Sequence, residues 1–276
     1  MAKTVLLVVP AAESGESVRD AAAFCEKTGA HLSVLVTTFA PPVPIGEYGL
    51  AISDSWSRER QSDLEALEKS IAAVTKALSD SSVSCDVSSA YAEAGVMDEE
   101  IGRRAMYTDL TLVNGESGAD RMLPTAAIEG TLFNARNAVL LAPKGANAAR
   151  PPKRVMIAWD SRVDAARAVH EALAFLQDAE DVRVVMVDPQ SHGDSGAEPG
   201  ADIAAYLARS GLNVTVDRLP SAGHLISDVL TRHAADMQAD LIVMGAYGHS
   251  RLRERIFGGV TKSMLDKPPL PLFLAR

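Results

Sequence analysis

Asp240-Leu-Ile-Val-Met-Gly-Ala-Tyr-Gly248 and Asp109-Leu-Thr-Leu-Val-Asn-Gly-Glu-Ser-Gly118 are two versions of one segment. Each opens on an aspartate, runs through four mostly apolar residues and reaches a Gly-x-x-Gly. A short apolar run bounded by turn residues reads as a strand buried on both faces. Working outward, Val5-Leu-Leu-Val-Val-Pro10 matches Val155-Met-Ile-Ala-Trp-Asp160, and His31–Thr37 matches Val182–Asp188. Ala138–Pro143 matches Pro271–Arg276, and each closes its half. The chain contains itself twice.

Between these strands the apolar spacing becomes helical. Val169, Leu173 and Leu176 share one face of Asp164–Asp178. Ile226, Leu230 and His233 do so in His224–Gln238, and Leu64, Leu67, Ile71, Val74 and Leu78 in Ser62–Leu78. Buried strands alternating with amphipathic helices predict βαβ units and a parallel sheet covered on both faces. The expected fold is therefore α/β: two tandem doubly wound domains of about five strands each, with ligands beyond the carboxyl ends of the strands.

The domains are read as 1–146 and 152–276, separated by the Gly-, Asn-, Ala- and Pro-rich stretch Lys144–Lys153. The offset between matched strands falls from 150 at Val5/Val155 to 131 at Asp109/Asp240, so about 19 extra residues lie in the first half. Pro41–Arg60, with three prolines and two glycines before a polar run, is the natural place for them. Pro271 and the preceding Pro268-Pro269 predict an edge strand at Pro271–Arg276, because proline cannot donate to a ladder. Ala138–Pro143 is its natural partner.

Composition narrows the function. With 27 Lys+Arg against 36 Asp+Glu the net charge is −9. Such a chain has no cation excess to displace counterions from phosphates, which argues against nucleic acid or an anionic membrane surface. The two cysteines cannot make a disulfide framework, no CxxC suggests zinc, and no apolar run approaches a membrane span. A cytoplasmic location is expected.

The chemistry-bearing segment is Met244–Thr261. Gly245 and Gly248 leave the strand, and after nine residues Gly258-Gly259-Val260-Thr261 opens a short helix. Glycines permit close backbone approach, and a helix N-terminus presents free N–H groups and partial positive charge. That combination suits phosphate oxygens. It is neither a Walker A loop nor a GxGxxG fingerprint. A tight turn would explain Gly245 and Gly248 alone; the second cluster at fixed distance points to a ligand.

At these residues the chain resembles the universal stress proteins, whose signature is Gly-x2-Gly-x9-Gly-Ser/Thr with an Asp ending the first strand. Gly245, Gly248, Gly258 and Asp160 match it. The resemblance implies an adenine nucleotide alpha hydrolase-like, Rossmann-like fold, with the two domains paired through their last strands as an intramolecular pseudo-dimer. It implies ATP, or AMP or ADP, in the second half, with Mg²⁺ arriving only alongside the nucleotide. It makes Asp160 a contact for adenine or ribose and Val187 a backbone contact for adenine. It brings Gly245 and Gly248 close to ribose and phosphate, and gives Gly258–Thr261 the phosphate cradle. His249, next to Gly248, is a candidate phosphate donor. One departure is Gly259 where the family has Ser or Thr, which weakens binding without abolishing it.

The first half departs further. Its first strand ends in Pro10-Ala-Ala, and eleven residues separate Gly118 from Gly130. Glu116 and Asp120 add negative charge where phosphate would sit. This half is read as a degenerate structural partner. Arg251, Arg253 and Arg255 suit either a solvated loop or a phosphate lid, and Trp159 either the core or a base platform. No Gly-x-Ser-x-Gly, patterned base or metal-ligand spacing occurs, so binding rather than turnover is expected. The expected role is regulatory or protective in a stress response. The alternatives are a protein-interaction module without nucleotide, a weak ATPase, and self-association into a homodimer.

Overall fold

In the computed structural model the described residues are 2–12, 15–46, 49–50, 53–115, 122–143, 146, 151–189, 198–246 and 259–276. They divide into two compact units, 2–137 and 138–276.

The first unit runs β1 (Thr4–Pro10), α1 (Glu16–Thr28), β2 (His31–Phe39), β3 (Ile45–Gly46), β4 (Gly49–Leu50) and α2 (Asp54–Leu78). It continues through β5 (Cys85–Ala92), α3 (Met97–Ala105), β6 (Leu110–Gly115), α4 (Met122–Glu129) and a π-helical turn, Gly130–Ala135. Its sheet has the order β6-β1-β2-β5, parallel throughout. The second unit runs β7 (Ala138–Pro143), β8 (Arg154–Ala158), α5 (Val163–Leu176), β9 (Asp181–Val187), α6 (Ala201–Arg209) and β10 (Val214–Leu219). It closes with α7 (Ile226–Asp236), β11 (Leu241–Gly245), α8 (Gly259–Asp266) and β12 (Leu272–Ala275). Its order is β10-β9-β8-β11-β12-β7, with only β7 antiparallel. The chain winds outward from β8 through β9 to β10, then crosses back to β11 and β12. The switch therefore falls between β8 and β11.

The continuous apolar runs are the core, as the pattern predicts for parallel strands covered on both faces. Val155, Met156, Ile157, Ile242, Val243, Leu272 and Phe273 are essentially inaccessible. Phe175 of α5 packs on Phe273 with ring centroids 5.4 Å apart.

One device recurs in both units. Asp240 Oδ2 accepts from the amides of Lys153 at 2.9 Å and Arg154 at 2.8 Å. Asp109 Oδ2 likewise accepts from Lys3 at 2.7 Å and Thr4 at 2.9 Å. The aspartate that opens each repeated segment thus clamps the start of the neighbouring first strand.

Two features depart from the sequence pattern. Helix α2 begins at Asp54, eight residues before the apolar periodicity does, because Ser53 caps it by accepting from the Trp56 amide at 3.2 Å. Part of the Pro41–Arg60 insertion is therefore helix. The final strand begins at Leu272, after its prolines, and is no free edge. Leu272, Phe273 and Leu274 oppose Leu141, Leu140 and Val139 of β7, so the expected partner covers it. β7 ends the first repeat in sequence but lies in the second unit.

No described helix is long and apolar enough to cross a membrane.

Candidate functional site

The carboxyl ends of β8, β9 and β11 meet the first turns of α5 and α8 around a cavity of about 680 Å³. It occupies the crevice at the switch point, where open α/β sheets receive ligands. Asp160, Val187, Gly245, Gly259, Val260 and Thr261 all line it, although they come from four separate places in the chain. Gly248, His249 and Gly258 lie outside the described residues, as do Arg251, Arg253 and Arg255.

Asp160 follows β8 and is more than half exposed at its side chain. Its Oδ1 accepts from the Arg162 amide at 3.1 Å, and its Oδ2 lies 3.7 Å from Arg162 Nε. Between them Ser161 takes φ +62°, a left-handed conformation uncommon outside glycine. The turn delivers the chain directly into α5, whose first residues Asp164 and Ala165 also face the cavity.

The end of β9 is shaped similarly. Asp188 follows Val187 with φ +47°. Its amide donates to Leu219 at 2.9 Å, and its Oδ1 accepts from the Ser221 amide at 2.9 Å. Hydrogen bonds from the Ser221 hydroxyl and amide hold the Asp188 carboxyl below the usual aspartate range. Two of the described non-glycine residues in the left-handed region thus stand at the mouth of one cavity.

Gly245 is required by packing. A Cβ there would stand 2.5 Å from the Ala165 nitrogen and 2.6 Å from the Asp164 carbonyl carbon. The absent side chain lets α5 approach β11. Gly259, by contrast, has open space where a Cβ would stand, at the exposed first turn of α8. Thr261, two residues on, is buried. Two helix N-termini, those of α5 and α8, therefore open on the same cavity, and each brings unpaired N–H groups and partial positive charge.

The first unit lacks these features. The registers Val8↔Val113 and Ala158↔Met244 make Asn114 the counterpart of Gly245, one residue before the glycine that the motif suggests. Asn114 donates to the Ser17 hydroxyl of α1, filling the approach that Gly245 leaves open. The pair Gly130-Thr131, which the motif aligns with Gly258-Gly259, is also closed in: Gly130 is buried, and a Cβ there would collide with the Asp98 carbonyl of α3. Thr131 spends its hydroxyl on Thr111 at 3.1 Å.

Several lining residues escaped the sequence reading: Arg162, Asp188, Ile226 and Leu230. Asp188 was legible as the polar residue ending β9; the apolar pair of α7 carried only a core signal. His170 stacks against Tyr206 and His233 binds Asp217 at 2.8 Å, both away from the cavity. Among the described residues no group of three His, Cys, Asp or Glu side chains is placed to hold a metal ion.

Residues 151–276 match the sequence profile of the universal stress protein family, over the unit that carries this cavity. The second unit is a universal stress protein domain. A stretch of 89 residues, 32% of this chain and 28% of the relative, is 32% identical to a universal stress protein of Synechocystis sp.. The match thus spans little more than a quarter of that relative's length. Among solved structures, a universal stress protein of Archaeoglobus fulgidus is similar over 98% of this chain and 96% of its own, with TM-score 0.66 and 17% identity. A Pseudomonas aeruginosa protein of unknown function is similar over 99% and 92%, with TM-score 0.56 and 15% identity. At these identities the structural likeness speaks for the fold, and it extends over both units of the chain.

Proposed function

We propose that the second unit binds ATP or a related adenine nucleotide, with occupancy rather than turnover as the output. The observation that supports this most directly is the convergence of Asp160, Val187, Gly245 and Gly259–Thr261 on one cavity at the switch point. In this reading the α8 N-terminus and Thr261 hold phosphate, Asp160 accepts from ribose hydroxyls, and the backbone at Val187 faces the base. The open space at Gly259 suits a phosphate oxygen approaching the backbone, and the acidic chain makes such a local anion device necessary. The nucleotide, when bound, supplies the anionic charge that the two helix ends favour. Asp160, Asp164 and Asp188 are the carboxylates that line the site, and Asp160 and Asp188 are already engaged by backbone amides, as groups that position rather than abstract protons. The biological role proposed is regulation in a stress response, through a nucleotide-dependent state of this unit.

The test is thermal unfolding with ATP, AMP and cyclic AMP, alongside phosphate release. Ligand at 100 times its dissociation constant adds about 2.7 kcal/mol of stability. A shift with an adenine nucleotide and no phosphate release supports the proposal. No shift with any of the three overturns it, and steady turnover replaces the regulatory reading with an ATPase.

A further inference from the structure

We infer that Trp159 is the platform on which this site stacks a flat heteroaromatic ring, and so determines its specificity for a nucleobase over a bare sugar phosphate. The inference rests on the nucleotide reading above and goes beyond it by naming the residue that selects the ring.

Three observations carry it. First, Trp159 stands one residue past β8, whose Val155, Met156 and Ile157 are fully buried, yet it is itself partly exposed and lines the cavity. Tryptophan is the largest apolar side chain, and one left partly open on a concave wall is available for contact.

Second, no described residue competes for its ring. Among the described residues the Trp159 indole makes no hydrogen bond and no ring contact. The other tryptophan, Trp56, makes both: its Nε1 donates to Pro42 at 3.1 Å, and Arg60 sits 5.6 Å above its ring.

Third, the register sets its neighbours. Ala158 pairs with Val185, and the Trp159 amide donates to the Val185 carbonyl at 3.0 Å. Trp159 therefore continues from the end of the β8/β9 ladder, and Met186 and Val187 of β9 line the same cavity. A ring stacked on Trp159 has backbone groups of Val187 within reach of its edge, while Asp160 and the α5 N-terminus begin the polar part of the cavity. Apolar and polar walls are thus ordered as the halves of a nucleotide are. Stacking tolerates any base, because every base has a π-face, so Trp159 selects for a ring and leaves its identity to the edge contacts.

Because the chain has two tryptophans, Trp56→Phe leaves Trp159 as the sole tryptophan emitter, excited selectively at the red edge where tyrosine does not absorb. In that protein AMP should quench and shift the emission, whereas ribose 5-phosphate should not. By calorimetry, Trp159→Leu should weaken AMP at least tenfold and leave ribose 5-phosphate within twofold. Trp159→Phe, which keeps an aromatic face, should hold AMP within about threefold of wild type and controls for folding. AMP binding equally well to Trp159→Leu overturns the inference and leaves the nucleotide reading standing. Failure of the wild-type chain to bind any adenine nucleotide overturns both.

Discussion

Gly245 and Ala165 touch so closely that a single added carbon does not fit between them: a Cβ on Gly245 would lie 2.5 Å from the Ala165 nitrogen. That nitrogen belongs to the first turn of α5, and the turn forms one wall of the cavity. Gly245 therefore acts on the site by letting a helix end reach it. Gly245→Ala must push α5 away from β11, which as core overpacking costs about 1–3 kcal/mol. Urea unfolding should show a lower midpoint at unchanged slope, and nucleotide affinity should fall with it. A fully stable Gly245→Ala protein would mean that α5 does not approach β11 as described.

Gly259 is the opposite case, since no described residue stands within 4 Å of the position its Cβ would take. Gly259→Ser restores the hydroxyl of the family signature at the exposed start of α8. One added hydrogen bond to phosphate contributes about 0.5–1.5 kcal/mol, a twofold to tenfold gain in ATP affinity by calorimetry. Stability should hold or rise slightly, because serine also suits a helix start. Unchanged or weaker ATP binding would take the phosphate away from the α8 N-terminus.

Much of this was legible because the duplication repeats physical devices as well as letters. The aspartates that open Asp109–Val113 and Asp240–Met244 make the same pair of amide contacts in each unit. The six glycine-motif and strand-end residues meet because a doubly wound sheet brings its strand ends to one crevice. Long-range packing was less legible. The polar start of α2 has no periodicity to detect and depends on the Ser53 cap. The first unit's departure from the motif was visible in Pro10 and in its loop length, but the contacts made in its place were not. They are Asn114 bonded to Ser17 and Gly130 pressed on Asp98, made across 97 and 32 residues of chain. The membership of β7 in the second unit is likewise set by β12, from the far end of the sequence.

The two cysteines should differ sharply in reactivity. Burial pushes the Cys25 thiol up to about 12, whereas Cys85 is exposed at the start of β5. Thiolate is the reacting form, so native Cys25 is inert at neutral pH. A chromogenic disulfide reagent should titrate one thiol per chain in buffer and two in urea, and Cys85→Ser should abolish the native signal. Two fast thiols in buffer would contradict the packing of α1 against the first-unit sheet.

Stability below neutral pH should follow two carboxylates that tie down loops. Glu26 Oε1 accepts from the Ser81 hydroxyl at 2.6 Å and the Ser82 amide at 2.9 Å, and Asp188 accepts from Ser221. The Ser81 bond, then the Ser82 amide, holds the Glu26 carboxyl below 4.5; the Ser221 bonds hold Asp188 below 3.8. A carboxyl depressed in the folded state contributes stability that is present above its unfolded value and lost as pH falls through the folded value. Both groups are exposed, so each contribution is small and screened by salt. The double variant Glu26→Gln, Asp188→Asn should be less stable than wild type at pH 7. Its deficit should shrink as pH falls below about 5 and keep shrinking below the ordinary carboxylate range, as wild type loses the same interactions by protonation. Urea midpoints measured across that range read the closing gap directly, and a deficit that stays constant with pH would show that neither carboxylate is held charged by its serine partners.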